Sequence, residues 1–417
     1  MPQPFKNHLT AALGKITDHY QTPFHIYDEA GIRDTGRRLK EAFSGIDVFK
    51  EFYAVKALPN PKILKIIQSM GFGFDCSSMT ELQLCRSIGG SAEDIMFTYN
   101  NTSREAFLEA ADKNGCILNL DDISLLDKIP TFPELICFRY NPGARRTGND
   151  IIGNPLEAKY GVSHEQIVEG YRKAQAKGAT RFGIHTMVAS NELNYEYMVH
   201  TAQMLLELVT IISKELGIVF EFINIGGGLG IPYQPDVPGL DLESMGREIT
   251  TLFDNFKKQY GYAPALFMES GRFMTGPHGA LVVTAINRKD IYRTYVGVDA
   301  SMSALMRPAM YGAYHHIDVL GKDQAEGVET VDVVGSLCEN NDKFAIQRDL
   351  PPIVDGDILI IHDTGAHGHS MGFTYNGNLR PKELLLAADS TVELIRREES
   401  PADYFATLQF EPDTLPL

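Results

Sequence analysis

The sequence predicts an α/β fold, in which a parallel (β/α)8 barrel is followed by a separate β domain. Three observations predict it. Between residues 49 and 270, eight short apolar or β-branched runs alternate with longer segments of helical period. Eight strand–helix units within roughly 220–250 residues have the size of a barrel, and this count decides against an open doubly wound sheet, which also alternates. After about residue 272 the helical period fades and strand-like runs follow one another across turn-rich pieces.

The elements follow in order. The opening "TPFHIYDEAG" reads as a strand ahead of the barrel that pairs with the C-terminal domain, giving a division into an N-terminal segment 1–35, a barrel 36–271 and a β domain 272–417. The eight barrel runs are "FKEFYAVKA", "FGFDC", "DIMFTY", "CILNL", "ELICFRY", "RFGIHTMVA", "VFEFINI" and "ALFME". Ser78 to Glu81, Thr102 to Glu105 and Ser163 to Gln166 have the spacing of capping boxes, in which a side-chain oxygen satisfies an unpaired N–H of the first helical turn. Gly71 and the Gly89-Gly90 pair read as helix stops. In the β domain, "GALVVTAI", "RTYVGVDA", "ETVDVVGSL" and "DILIIHDTG" read as strands.

Composition narrows the function. The chain has 417 residues, 44% of them hydrophobic, enough for a large core in two or three domains. A formal charge of -16 opposes binding to nucleic acid or to an anionic membrane, so an anionic substrate needs a local cluster of arginines. Five scattered cysteines without a CxxC pair indicate neither a disulfide framework nor a zinc site, and they fit a reducing cytoplasm. The N-terminal "MPQPFKNHLTAALG" lacks the apolar core of a secretory signal, and "AQMLLELVTIISKEL" is interrupted by Glu207 and Lys214, so no membrane span is expected.

In a barrel of this kind chemistry gathers where the strands finish, because side chains there converge on one open face. Lys56 stands at the end of the first run, Asp75 at the end of the second, Arg139 of the fifth and His185 of the sixth. Gly226, Gly227 and Gly228 follow the seventh, and the eighth finishes at Glu269 with Arg272 just beyond. Singly each has an ordinary structural explanation: a lysine snorkelling to solvent, a helix-capping aspartate, a paired arginine, a hydrogen-bonded histidine. Together, a lysine, a bare-backbone phosphate cradle in "GGGLG" and "ESGR", and a carboxylate suggest pyridoxal 5'-phosphate. The lysine amine can form a Schiff base with its aldehyde, and Glu269 can keep its ring nitrogen protonated.

These residues resemble the fold-type III pyridoxal-phosphate decarboxylases, most closely the diaminopimelate decarboxylases. The likeness runs through "TPFHIYD", "YAVKALPNPKIL", "GFDCSS", "FRYNPG", "KYGV", "GGGLGIPY", "ESGRF", "RPAMYGAYHHI", "CENND" and "HDTGAHGHSM". It implies the alanine racemase-like architecture, a cofactor-binding TIM barrel with a C-terminal β-sandwich or β-barrel-like domain. It implies Lys56 as the Schiff-base lysine, Asp75 and Arg139 as its supports, and Glu269 on the pyridine nitrogen. Ser190, Gly226 to Gly228 and the loop Ser270, Gly271, Arg272 would bind phosphate, with Tyr375 nearby. Arg272, Arg307 and Tyr311 would hold a distal carboxylate of the substrate, and Glu339 a distal ammonium. Family members are homodimers in which the "CE" segment reaches the neighbouring site, so Cys338 is the implied acid that returns a proton to the substrate carbon.

The departures bear on substrate. The family's "HxHIGS" is "HTMVAS" here, so His185 matches the first histidine, Met187 takes the place of the one stacked on the cofactor and Ala189 replaces a glycine. Ser270 replaces the proline of "EPGR", and "CENND" replaces "CESGD". The resemblance implies decarboxylation of meso-2,6-diaminopimelate to L-lysine and carbon dioxide, in lysine biosynthesis. Alternatives are the same chemistry on D-lysine, D-ornithine or a modified or carrier-bound amino acid, and a non-catalytic regulatory binder. Racemisation, and a metal-dependent barrel hydrolase wanting more His and Asp at the strand ends, rank below these.

Overall fold

A computed structural model describes residues 1–112, 115–146, 153–322 and 327–411. The chain starts with helix α1 (Gln3–Tyr20), strand β1 (Phe24–Asp28) and helix α2 (Glu29–Ala42). Eight strands then close a parallel barrel: β2 (Phe49–Ala54), β3 (Gly73–Cys76), β4 (Ala92–Phe97), β5 (Cys116–Leu120), β6 (Leu135–Arg139), β7 (Arg181–His185), β8 (Phe220–Asn224) and β9 (Ala265–Met268). They coincide with the eight apolar runs. Helices α3 (Pro61–Ser69), α4 (Met79–Ser87), α5 (Arg104–Ala111), α6 (Ile167–Ala176), α7 (Tyr195–Leu216) and α8 (Leu242–Tyr260) lie between the strands in sequence. A short 3-10 turn, Ile123–Asp127, follows β5 in place of a helix.

Two compact units result. One comprises Ile32–Pro232 and Asp236–Thr275, which is the barrel; the other combines Met1–Gly31, Tyr233–Pro235 and the chain from Gly276 onward. The barrel interior is closed by Phe52, Met96, Ile117, Leu135, Cys137, Phe222 and Phe267. Phe222 and Phe267 stack with centroids 4.3 Å apart. Gly183 lies under that stack, where an added Cβ would fall 2.0 Å from the Phe222 ring.

After the short helix α9 (Arg272–Thr275), the second unit adds β10 (Gly279–Asp290), β11 (Thr294–Val298), helix α10 (Arg307–Tyr311), β12 (Ile317–Val319), β13 (Glu329–Val334), β14 (Lys343–Leu350), β15 (Ile358–Ile361), β16 (Lys382–Leu386), β17 (Val392–Arg396) and helix α11 (Pro401–Phe405). Its mixed sheet has the order β14-β13-β11-β10-β1-β16-β17, with β15 paired to both β10 and β12. β1 runs antiparallel to β10 and parallel to β16, so the early strand "TPFHIYD" sits in the middle of the late sheet. β10 explains the two-sided core. Ala280 and Val282 face a cluster with Phe5, Leu9, Leu13 and Ile16 of α1, while Leu281 and Val283 face one with Val296, Val331 and Phe344.

Two expected helix starts differ. Ser103, and not Thr102, caps α5 by accepting from the Ala106 N–H, because the Thr102 hydroxyl is spent on the Tyr99 carbonyl at 2.5 Å. Helix α6 begins at Ile167, after a turn in which the Ser163 N–H meets Gln166 Oε1 at 3.5 Å. Ser78 does cap α4, with Glu81 reaching back to the Ser77 N–H. Among the described residues no helix is long and apolar enough to cross a membrane.

Candidate active site

Parallel register fixes which strand ends share the barrel rim: Ala54 lies opposite Asp75, Arg139 opposite His185, and His185 opposite Asn224. Lys56 is exposed on the turn Val55–Ala57 between two buried neighbours. The prolines flanking Asn60 end that turn. Asn60 caps α3 by accepting from the Lys62 N–H at 3.0 Å, and Pro61 occupies the first helical position, where a missing N–H costs nothing. The positive charge of Lys56 acts on Asp75, Glu81 and Glu269.

Glu269, just past β9, is buried. Its Oε2 lies 3.0 Å from His185 Nε2, and its Oε1 accepts from Asn224 Nδ2 at 2.8 Å. Burial alone would raise its pKa, but His185, Lys56 and Asn224 outweigh that and hold the carboxyl below its usual range. Asp75 goes the other way. Burial, reinforced by the negative charge of Glu269 and only partly opposed by Lys56, pushes it up to about 8. The two carboxyls are therefore pushed apart by environment, Glu269 towards the ionised form and Asp75 towards the protonated one.

The glycine triplet is dictated by close approach. An added Cβ at Gly227 would lie 2.0 Å from the Glu269 carbonyl oxygen, while Gly226 and Gly228 have φ of 71° and 94°. Asn224 joins this loop to the carboxylate, since its Oδ1 accepts from the Gly226 N–H at 2.8 Å while its amide serves Glu269. The Glu269 N–H in turn donates to the Gly226 carbonyl at 2.9 Å. Ser190 and Ala189 lie on the loop after β7, which is tied to the triplet by the Glu192 N–H donating to the Gly228 carbonyl at 2.8 Å. Met187 Sδ accepts from the Gly227 N–H at 3.2 Å. Met187 also lines a shallow depression with Arg139, Tyr140, Tyr160 and Val188. Arg139 is buried there, stacked 4.2 Å from the Tyr160 ring centroid and 3.8 Å from Asp121. Ser270 and Gly271 form the turn after Glu269, and Arg272 starts α9.

The second unit carries the remaining expected residues. Arg307 is buried, 4.6 Å from the Tyr233 ring centroid, with Nη1 3.0 Å from His315 Nε2. His315 Nδ1 lies 2.7 Å from the His362 carbonyl and so carries the ring proton, which leaves Nε2 to accept from the guanidinium. Tyr311 is exposed at the end of α10. Cys338 is exposed, and its N–H donates to Asn376 Oδ1 at 2.8 Å, which joins the Cys338-Glu339 segment to the turn holding the exposed Tyr375. Glu339 Oε1 accepts from the Asn341 N–H at 3.1 Å.

Residues 29–276 match the family model described as pyridoxal-dependent decarboxylase, pyridoxal binding domain. The chain belongs to the pyridoxal-dependent decarboxylases. It is 45% identical to Protein TabA of Pseudomonas amygdali pv. tabaci, over 98% of this chain and 96% of that one. It is 37% identical to the diaminopimelate decarboxylase of Methanothermobacter thermautotrophicus, over 93% of this chain and 92% of that one. The crystal structure of the diaminopimelate decarboxylase from M. jannaschii in complex with L-lysine superposes with a TM-score of 0.85 at 29% identity, covering 96% of this chain and 94% of that one. The barrel with its separate mixed sheet is thus fold type III, and this protein is an amino-acid decarboxylase that uses pyridoxal phosphate.

The decarboxylase's own residues fit that cofactor. It has an exposed amine on Lys56, a buried Glu269 kept ionised, and a backbone cradle with no room for side chains. Asp75 Oδ1 and His185 Nδ1 are buried polar atoms for which the described residues supply no hydrogen-bond partner. Sequence reasoning missed Asn224 and Glu51. Each carried a signal: Asn224 is the polar last residue of "FEFIN", and Glu51 is an acid inside the apolar run "FKEFYA".

Proposed function

We propose that this decarboxylase removes carbon dioxide from the D-configured centre of meso-2,6-diaminopimelate to give L-lysine. The observation that carries the reading is the full-length similarity to diaminopimelate decarboxylases, including a relative solved with L-lysine, joined to the buried, pre-oriented Arg307. A guanidinium held over Tyr233 and bonded to His315 suits a second carboxylate, the feature that sets diaminopimelate apart from simpler diamino acids.

In this reading Lys56 holds the cofactor's aldehyde end, and Gly226 to Gly228, Ser190 and the Ser270-Gly271-Arg272 turn hold its phosphate, with Tyr375 beside it. Bound pyridoxal phosphate supplies an electron sink for the pair left on the substrate α-carbon when carbon dioxide departs. Glu269, kept ionised by His185 and Asn224, holds a proton on the ring nitrogen. Asp75 and Arg139 support the lysine, and Met187 packs a polarisable thioether where it meets the Gly227 N–H. Arg272, Arg307 and Tyr311 bind the substrate's distal carboxylate, and Glu339 its distal ammonium. Cys338 Sγ gives a proton to the α-carbon, acting with Glu339 across a homodimer interface. All five cysteines are free thiols, which supports a cytoplasmic location.

Carbon dioxide release from meso-diaminopimelate, with and without added pyridoxal phosphate, tests this. Equal amounts of carbon dioxide and L-lysine are expected. One observation favours a second reading, the same chemistry on D-lysine, D-ornithine or a modified amino acid: a methionine, not an imidazole, borders the depression beside Arg139. Release from such a substrate with none from diaminopimelate would replace the first reading by the second.

A further inference from the structure

Glu51 has no part in the reading above, yet it is a fully buried acid in the wall of the active-site barrel. It lies on β2, the strand that leads into the Lys56 turn, and pairs in register with Met268, the last residue before Glu269. Its Oε1 accepts from the backbone N–H of Ser270. The next residue, Gly271, lies so close to the lysine segment that an added Cβ would fall 2.8 Å from Ala57 Cβ and 3.1 Å from Ala54 Cβ. The turn carrying Glu269 and Arg272 therefore rests on the residues around Lys56 at two consecutive positions, one by van der Waals contact and one by a buried hydrogen bond.

We propose that Glu51 is a positioning residue, which locks the Glu269–Arg272 turn onto the lysine-bearing segment through the buried N–H of Ser270. Without an acceptor, that N–H is stranded away from water, and a buried donor without a partner is expensive enough to move the backbone that carries it. Movement there is passed on in two directions, because the Glu269 N–H is bonded to the Gly226 carbonyl and its carboxylate to Asn224 and His185. Burial raises the Glu51 carboxyl well above its usual range, with the Glu269 charge adding to the effect. A neutral amide can replace it.

The inference rests on the roles given to Lys56 and Glu269, and its test uses cofactor binding in the full-length protein without any substrate. Pyridoxal phosphate affinity is read from the near-visible absorbance of the bound form, alongside thermal unfolding. Glu51→Gln, which keeps an acceptor, is expected to bind within about threefold of wild type, and Glu51→Met to bind at least about tenfold more weakly. Ser270→Pro removes the N–H itself, so adding Glu51→Met to Ser270→Pro should cost less than about threefold in affinity relative to Ser270→Pro alone, whatever that single change costs at the phosphate. Wild-type affinity in Glu51→Met, a Gln variant as weak as the Met variant, or a Glu51→Met loss as large on Ser270→Pro as on wild type would each overturn the proposal. If Glu51→Met does not fold, the double variant decides, a folded cofactor-binding protein supporting the lock and an unfolded one refuting it. A protein that obeys this pattern but ignores diaminopimelate sinks only the substrate assignment, whereas a wild type without the absorbance sinks the roles of Lys56 and Glu269.

Discussion

Replacing Gly227 by alanine tests the packing of the candidate site at its tightest point. The new methyl carbon would lie 2.0 Å from the Glu269 carbonyl oxygen. An ordinary carbon–oxygen contact is at least about 3.3 Å, so the two backbones must separate by about 1.3 Å. They are joined by the 2.9 Å hydrogen bond from the Glu269 N–H to the Gly226 carbonyl, and no flexible side chain lies between them to yield instead. Overpacking of this kind costs roughly 1–3 kcal/mol, and the stretched hydrogen bond about 1 more, for a total of about 2–4 kcal/mol. The shift also displaces the loop N–H groups and the Glu269 carboxylate, so pyridoxal phosphate should bind at least about tenfold more weakly. Urea unfolding followed by circular dichroism reads the stability, and absorbance titration reads the affinity. Gly14→Ala is the control: it sits in α1 with nothing within 4 Å of the added carbon, and helix propensity predicts a gain of about 0.5–1 kcal/mol. Wild-type stability and cofactor affinity in Gly227→Ala would show that the triplet is not packed against the Glu269 turn.

Three further outcomes are expected. Lys56→Ala should lose the absorbance band that borohydride removes from wild type, and lose activity by at least about 1000-fold; a retained band would transfer the anchoring role to another amine. Arg307→Ala should lower kcat/KM for diaminopimelate by roughly 2–5 kcal/mol of transition-state binding, with Lys only a partial substitute because it lacks the planar fork; unchanged kinetics would remove Arg307 from the site. Glu383 governs acid stability of the sheet unit. Burial would raise its pKa, but His369, Arg396 and Tyr27 outweigh it and hold the carboxyl at about 2. Because the folded value lies below the usual 4.5, the contribution is complete above that pH and fades as pH falls towards 2. Melting temperatures between pH 6 and 3 should therefore fall less steeply in Glu383→Gln than in wild type, and parallel profiles would contradict the assignment.

The barrel was legible because each of its strands is a short apolar run bounded by a helix with its own period, a local signal that survives without any knowledge of partners. The second unit was legible only in part. Strands β12, β14, β16 and β17 escaped, since runs such as "KFAIQRDL" place charges in positions that only contacts distant in sequence explain, as when Arg348 packs 3.9 Å from the Tyr314 ring centroid and donates to the His315 carbonyl at 3.0 Å. Helix α1 escaped although Phe5, Leu9, Leu13 and Ile16 have helical spacing, because the residues that bury that stripe, Ala280, Val282, Leu384 and Leu386, lie far along the chain. Lys56, Glu269 and the glycines announced themselves by residue type at strand ends. Glu51 and Asn224 did not, since their meaning lies in backbone N–H groups that are distant in sequence, Ser270 for one and Gly226 for the other.

The placement of β1 has a consequence for the protein's birth. Its five residues leave the ribosome early, yet both neighbours that satisfy their backbone, β10 and β16, are translated only after the whole barrel. About 250 residues separate Phe24 from its first partner Val282, a wait of roughly 10–50 s at ordinary elongation rates. Throughout that interval, in which the barrel is itself being made, a buried-type apolar strand is on display, an invitation to chaperones and to mispairing between nascent chains. A message cut short before residue 382 would leave that invitation permanently open.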